Sequence, residues 1–160
     1  LSIFEISFIL PLLISTTISF PIFVAIKILL ELKTTAIHVR RGDYLKFPKH
    51  HPTQSVDYYK KSIELLNNTE KFIIFSDDIE WCKSNFIGDE YYFIENEKDY
   101  VELYLMSMCN NVITSNSSFS WWGAWLNNNN DKIIIGPNIW FGINVNDTSK
   151  DILPKEWIKL

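Results

Sequence analysis

With 160 residues, 47% of them hydrophobic and 21% charged, the chain can bury one core of ordinary size and would be cramped as a two-domain enzyme. Six Trp and eleven Phe exclude a disordered tail, and a formal net charge of −4 excludes a broad electrostatic footprint for nucleic acid. A phosphate ligand would have to be met by local positive charge. Cys82 and Cys109 stand far apart with no CxxC spacing, which reads as two buried thiols and not a metal set.

From Ile6 to Ile26 no charged residue occurs, and Ile, Leu and Phe dominate a run about long enough to cross a bilayer as a helix. Pro11 and Pro21 interrupt it, Ser15, Thr16, Thr17 and Ser19 dilute it, and Glu5 precedes it where a basic residue would suit a signal peptide. Two readings of residues 1–33 stand side by side: a membrane anchor through residues 6–26, or the remnant of a further domain. In the first, Lys27, Lys33, Arg40 and Arg41 place the rest of the chain in the cytoplasm. The opening Leu1, in place of Met, leaves a processed or partial sequence among the expectations.

Beyond Lys33 short apolar runs alternate with amphipathic ones. Thr34–Val39, Phe72–Phe75, Val112–Thr114 and Ile133–Ile135 are expected strands, with Tyr91–Ile94 a weaker fifth, and their apolar residues suit strands buried on both faces. Between them, Val56, Tyr59, Ile63 and Leu66 form one helical stripe, and Val101, Tyr104, Leu105 and Met108 another. Alternating strands and helices imply an α/β, Rossmann-like parallel sheet over 34–160, with ligands bound outside the carboxyl ends of its strands.

Three of those strand ends carry unusual residues. The first runs into His38, Arg40, Arg41, Gly42 and Asp43: alternation puts His38 and Arg40 on one side, Gly42 permits a sharp turn, and Asp43 can hold an arginine. Two neighbouring guanidiniums suit a diphosphate because each can fork two hydrogen bonds to phosphate oxygens, although a surface ion pair explains the same residues. The second strand ends at Ser76, Asp77 and Asp78, where a carboxylate either caps the following helix or accepts from a guanine base. Adjacent acids are not the separated Asp-X-Asp pair that holds Mn or Mg, so no metal is expected.

The fourth strand leads into Ser115, Asn116, Ser117, Ser118 and Phe119, small polar residues at a helix start that offer N–H groups to an anion. Trp121, Trp122 and Trp125 then read as core, packing the helix on the sheet. Asn116 heads a glycosylation sequon, but one set inside such a motif is not expected to be modified.

His38-Val-Arg-Arg-Gly-Asp-Tyr44, Phe75-Ser-Asp-Asp78 with Trp81, and Leu105-Met-Ser-Met-Cys109 running into Asn116-Ser-Ser-Phe-Ser-Trp-Trp-Gly-Ala-Trp-Leu126 resemble, in order and spacing, the motifs of the family 11 α-1,2-fucosyltransferases. Pro137, Trp140 and Ile152-Leu-Pro-Lys-Glu-Trp157 extend the resemblance. It implies the donor half of a GT-B enzyme that moves fucose from GDP-fucose to the 2-hydroxyl of a galactose-terminated glycan, inverting the anomeric centre without metal or cofactor. On that pattern Arg40 binds the diphosphate and stabilises its developing charge. His38 with Asp77 or Asp78 lies near the guanosine, Asn116, Ser117, Ser118 and Phe119 surround the phosphates, and Arg41 and Asp43 support them.

A second Rossmann-like domain precedes the His-X-Arg-Arg motif in that family and supplies much of the acceptor site; here mostly apolar residues stand in its place. No general base is evident, with Asp43 the candidate. A non-catalytic remnant that binds a nucleotide sugar is the alternative reading. The resemblance implies a cytoplasmic setting for a bacterial chain and a Golgi membrane for an animal one, and the Asn, Ile and Lys richness points to a bacterium.

Overall fold

The computed structural model of the chain describes residues 20–143, 145 and 151–160. Helix α1 (Phe20–Glu31) leads into β1 (Thr34–Val39), a 3-10 turn (Asp43–Lys46), α2 (Val56–Glu64), β2 (Lys71–Ser76), α3 (Ile79–Asn85) and β3 (Tyr91–Phe93). Helix α4 (Asp99–Met108), β4 (Asn111–Ile113), α5 (Ser118–Trp125), β5 (Ile134–Gly136) and β6 (Ile158–Lys159) complete it. The strands form one sheet in the order β3-β2-β1-β4-β5-β6, every pairing parallel. This is the doubly wound, Rossmann-like order, which reverses direction at β1 and β4.

Each central strand carries apolar residues toward both faces because helices cover both. Every residue of β1 is buried, and alternation sends Ala36 to one side and Ile37 and Val39 to the other. Ala36, Ile73, Phe75 and Val112 pack with Leu105 and Met106 of α4 and Ala124 of α5. On the opposite face Ile37, Val39, Ile74 and Ile113 meet Tyr58 and Tyr59 of α2 with Cys82 of α3 and Phe86. Cys82 and Cys109 are free and buried, as read.

Helix α1 belongs to this body: Ala25 is fully buried in the core cluster, with Ile26, Ile28 and Leu29 packed against it. Among the described residues no helix is long and apolar enough to cross a membrane, and residues 6–19 of the apolar run lie outside the described residues. At the other terminus Leu153 and Trp157 are buried, and β6 adds a sixth strand that its short, exposed sequence does not announce.

Helix α5 corrects the expectation for its tryptophans. Trp121 packs against the core and donates its indole N–H to the Ile152 carbonyl (2.8 Å), but Trp122 and Trp125 are about half exposed. The helix buries Ser120, Gly123 and Ala124 instead. A small face is needed because α5 lies hard against α4: a Cβ on Gly123 would fall 2.4 Å from the Met106 sulfur and 3.0 Å from its Cγ. Likewise Tyr104 turns outward and Met106 takes the fully buried place on α4.

Met106 has no room to retreat, so Gly123→Ala is expected to lower stability by about 1–3 kcal/mol through overpacking, although alanine favours a helix by about 1 kcal/mol. Urea unfolding of the two proteins measures the difference. Equal or greater stability of the variant would show that the α4–α5 contact is looser than described.

Candidate functional site at the sheet's switch point

Strands β1 and β4 are hydrogen-bonded neighbours, with Ile37 opposite Ile113, so the segments that leave their carboxyl ends emerge side by side. They are then tied together. The His38 imidazole Nδ1 and the Ser115 hydroxyl lie 2.8 Å apart, both residues buried, and the His38 ring tilts against Phe119 at 5.4 Å between centroids. Burial, and after it the neighbouring Arg40 charge, depress the imidazole from 6.5 to about 3, so it is neutral at physiological pH.

From beneath, α2 fixes the same strand ends. Tyr59 donates its hydroxyl to the His38 carbonyl (3.2 Å) and Tyr58 to the Thr114 carbonyl (2.7 Å), both in buried surroundings. Burial raises both phenols well above their ordinary range, so they remain donors. Tyr59 is legible in the sequence as core; the role of both hydroxyls is not.

The two arginines part company. Arg40, one third exposed, sends Nη2 to Asp43 Oδ1 (2.7 Å) and Nη1 to Asp77 Oδ2 (3.2 Å), with its guanidinium 5.4 Å from the centre of the Tyr44 ring. Arg41 is turned to α3: its Nε donates to Asp78 Oδ2 (3.0 Å) and its guanidinium lies 4.2 Å from the centre of Trp81. The two guanidiniums expected together at one diphosphate thus have different protein partners, Arg40 with Asp43 and Asp77 and Arg41 with Asp78. Successive side chains at a strand end point to opposite faces.

Both candidate guanine-reading carboxylates already have partners. Asp78 caps α3, accepting the Trp81 N–H at 3.3 Å, besides holding Arg41. Asp77 Oδ1 accepts the Arg41 backbone N–H (2.9 Å), and its Oδ2 lies so close over Gly42 that a Cβ there would meet it at 2.4 Å. Gly42 thus serves a close approach of carboxylate to backbone.

At the start of α5, Ser117 is the N-cap residue but its side chain makes no capping bond, so the first-turn N–H groups are not taken by it. Ser118 is exposed at this end, while the Ser120 hydroxyl turns back to the Ser117 carbonyl (3.1 Å). Asn116, expected to face a ligand, is instead 1% exposed and fully engaged. Its Nδ2 donates to the carbonyls of Pro52 (3.0 Å) and Trp140 (2.9 Å), its Oδ1 accepts from Gln54 (3.0 Å), and its carbonyl accepts the Tyr44 hydroxyl (3.1 Å). An amide with donors and an acceptor can join three segments at once, and that use leaves nothing for a sugar at the sequon.

Tyr44 and Gln54 are the site residues that sequence reasoning missed. Tyr44 stood beside the arginine motif, but its link to Asn116 crosses to another strand end; Gln54 carries no local signal. His51 stacks on Tyr44 at 4.8 Å and so joins the same wall.

Fold and site define a Rossmann-like α/β domain whose neighbouring β1 and β4 ends lead into an arginine held by two carboxylates and into a helix start that its N-cap side chain does not bond. The chain belongs to glycosyltransferase family 11, whose model matches residues 28–160. It is 39% identical over 137 residues to the O-antigen biosynthesis glycosyltransferase WbnK of Escherichia coli, covering 79% of this chain and 44% of that protein. It is 41% identical over 138 residues to an Escherichia coli alpha-1,2-colitosyltransferase, covering 79% and 47%. Human galactoside alpha-(1,2)-fucosyltransferase 1 is 28% identical over 109 residues, 56% of this chain and 28% of that one. The chain thus spans about half the length of the curated bacterial relatives it matches.

The unfolded chain protonates His38 near pH 6.5 but the folded chain only near pH 3. The stability due to its neutral state is complete above pH 6.5 and falls by about 1.4 kcal/mol per pH unit as pH drops toward 3. His38→Asn is expected to flatten the dependence of unfolding free energy on pH between 6.5 and 4 by about one proton, read by urea titration. Superimposable slopes would mean that His38 is protonated alike in both states.

Proposed function

We propose that this chain binds GDP-fucose, or a closely related GDP-linked 6-deoxyhexose, at the switch point and takes part in its inverting transfer to the 2-hydroxyl of a galactose-terminated glycan. The observation that carries the reading is that the segment bearing Arg40 and the segment leading into α5 leave neighbouring strands, β1 and β4, where the sheet order reverses. Arg40 supplies charge and the α5 N–H groups supply donors, a pairing suited to a pyrophosphate. The colitosyltransferase and fucosyltransferase names of the relatives support a deoxyhexose; fucose and colitose differ by one hydroxyl.

In this reading the bond from the sugar C1 to the β-phosphate oxygen breaks, and the electron pair passes to that oxygen. Arg40 and the helix start stabilise the charge there, work that a divalent cation does elsewhere. The acceptor oxygen bonds C1 from the opposite face and its proton goes to a base, for which Asp43 is the candidate. Ser117, Ser118 and Phe119 line the phosphates, His38 and Phe119 make the buried wall behind them, and Arg41 with Asp78 is structural support. No metal enters the scheme.

Calorimetry with GDP and GDP-fucose tests the reading. Both are expected to bind, with EDTA making no difference. Arg40→Ala is expected to weaken both by about ten- to a hundredfold, the loss of charge-assisted hydrogen bonds, with far-UV circular dichroism unchanged. No binding by the parent chain would overturn the donor assignment. Binding without transfer to any β-galactoside would favour a nucleotide-sugar-binding role without catalysis.

A further inference from the structure

Arg40 is flanked by two carboxylates, and the two are held very differently. Asp77 is fastened: one oxygen accepts the Arg41 backbone N–H, the other meets Arg40, and the group packs directly on Gly42. It is only about a quarter exposed. Asp43 sits on the separate 3-10 turn, its side chain 59% exposed, and its interaction with Arg40 is a short, solvent-facing ion pair. That pair takes Nη2, while Asp77 takes Nη1, so both ends of the guanidinium fork are occupied by the protein itself.

A diphosphate arriving at this fork meets one positive charge and two negative ones. The fork can be vacated at one end only. The Asp43 pair is solvent-exposed and rests on one oxygen, whereas a phosphate brings more negative charge and several acceptor oxygens to the same nitrogen. A phosphate therefore outcompetes Asp43, and Asp77, with three contacts, stays as the group that aims Arg40.

We propose that Asp43 is a latch on the donor site, its carboxylate occupying the Arg40 position that a phosphate of the nucleotide sugar takes, so that donor binding displaces it. The proposal rests on the donor-binding reading above, and it reverses the sign of the role that the motif suggests: Asp43 competes with the ligand and does not support it. The displaced carboxylate is then the one free to meet an acceptor hydroxyl.

Calorimetry of the full chain and of Asp43→Asn, with GDP and separately with inorganic pyrophosphate, decides this. Removing the competitor also removes its repulsion of the anion, so both effects have one sign: the variant is expected to bind both probes about three- to tenfold tighter. Equal tightening for the two probes places the effect at the phosphates. Unchanged or weaker binding by the variant, with the parent chain still binding GDP, would overturn the latch and leave the donor reading intact. If neither protein binds either probe, the donor reading and the latch fall together.

Discussion

The adjacency of β1 and β4 is the constraint on which the site depends. Parallel strands cannot be joined by a tight turn, so neighbours in a doubly wound sheet are remote in sequence, and here His38 and Ser115, which meet at the strand ends, are 77 positions apart. The His38–Ser115 hydrogen bond closes the seam between them, and it works because the imidazole is neutral: a charged ring there would be buried beside Arg40. Tyr58 and Tyr59 hold the same two ends from α2, and Asn116 ties the segment after β1 to the segment after β5. These bonds tie the segments that follow β1, β4 and β5 to one another.

Charge is then divided by strand geometry. Adjacent arginines at a strand end diverge, so Arg41 locks the sheet to α3 through Asp78 and Trp81 while Arg40 stays at the crevice. Five charged groups that look alike in the sequence are thereby sorted into a cap (Asp78), a tether (Arg41), an anchored partner of Arg40 (Asp77), Arg40 itself and one exposed carboxylate (Asp43). Exposure sorts them again: Arg41 and Asp77 are the sheltered members, Arg40 and Asp43 the open ones.

The sheet was legible because its strands are buried on both faces. Thr34–Val39 is read with its observed bounds, and Phe72–Phe75 and Tyr91–Ile94 fall within a residue of theirs, since apolar runs edged by polar residues record burial directly. The placing of the three polar motifs at the carboxyl ends of β1, β2 and β4 was legible as well. What was not legible depends on tertiary contact. The outward turn of Trp122 and Trp125 follows from how closely α5 approaches α4, and the consumption of the Asn116 amide follows from three segments distant in sequence. The pairing of Asp77 with Arg41 follows from a strand order that composition does not encode. The apolar helix Phe20–Glu31 carried no sign that Ala25 would be core, because burial in protein and burial in lipid call for the same residues.

A structure of the chain with GDP bound tests the central claim most directly. The β-phosphate is expected within hydrogen-bond distance of both the Arg40 guanidinium and a backbone N–H in the first turn of α5. A pyrophosphate touching only one of the two, or a nucleotide seated away from the β1–β4 seam, would contradict it.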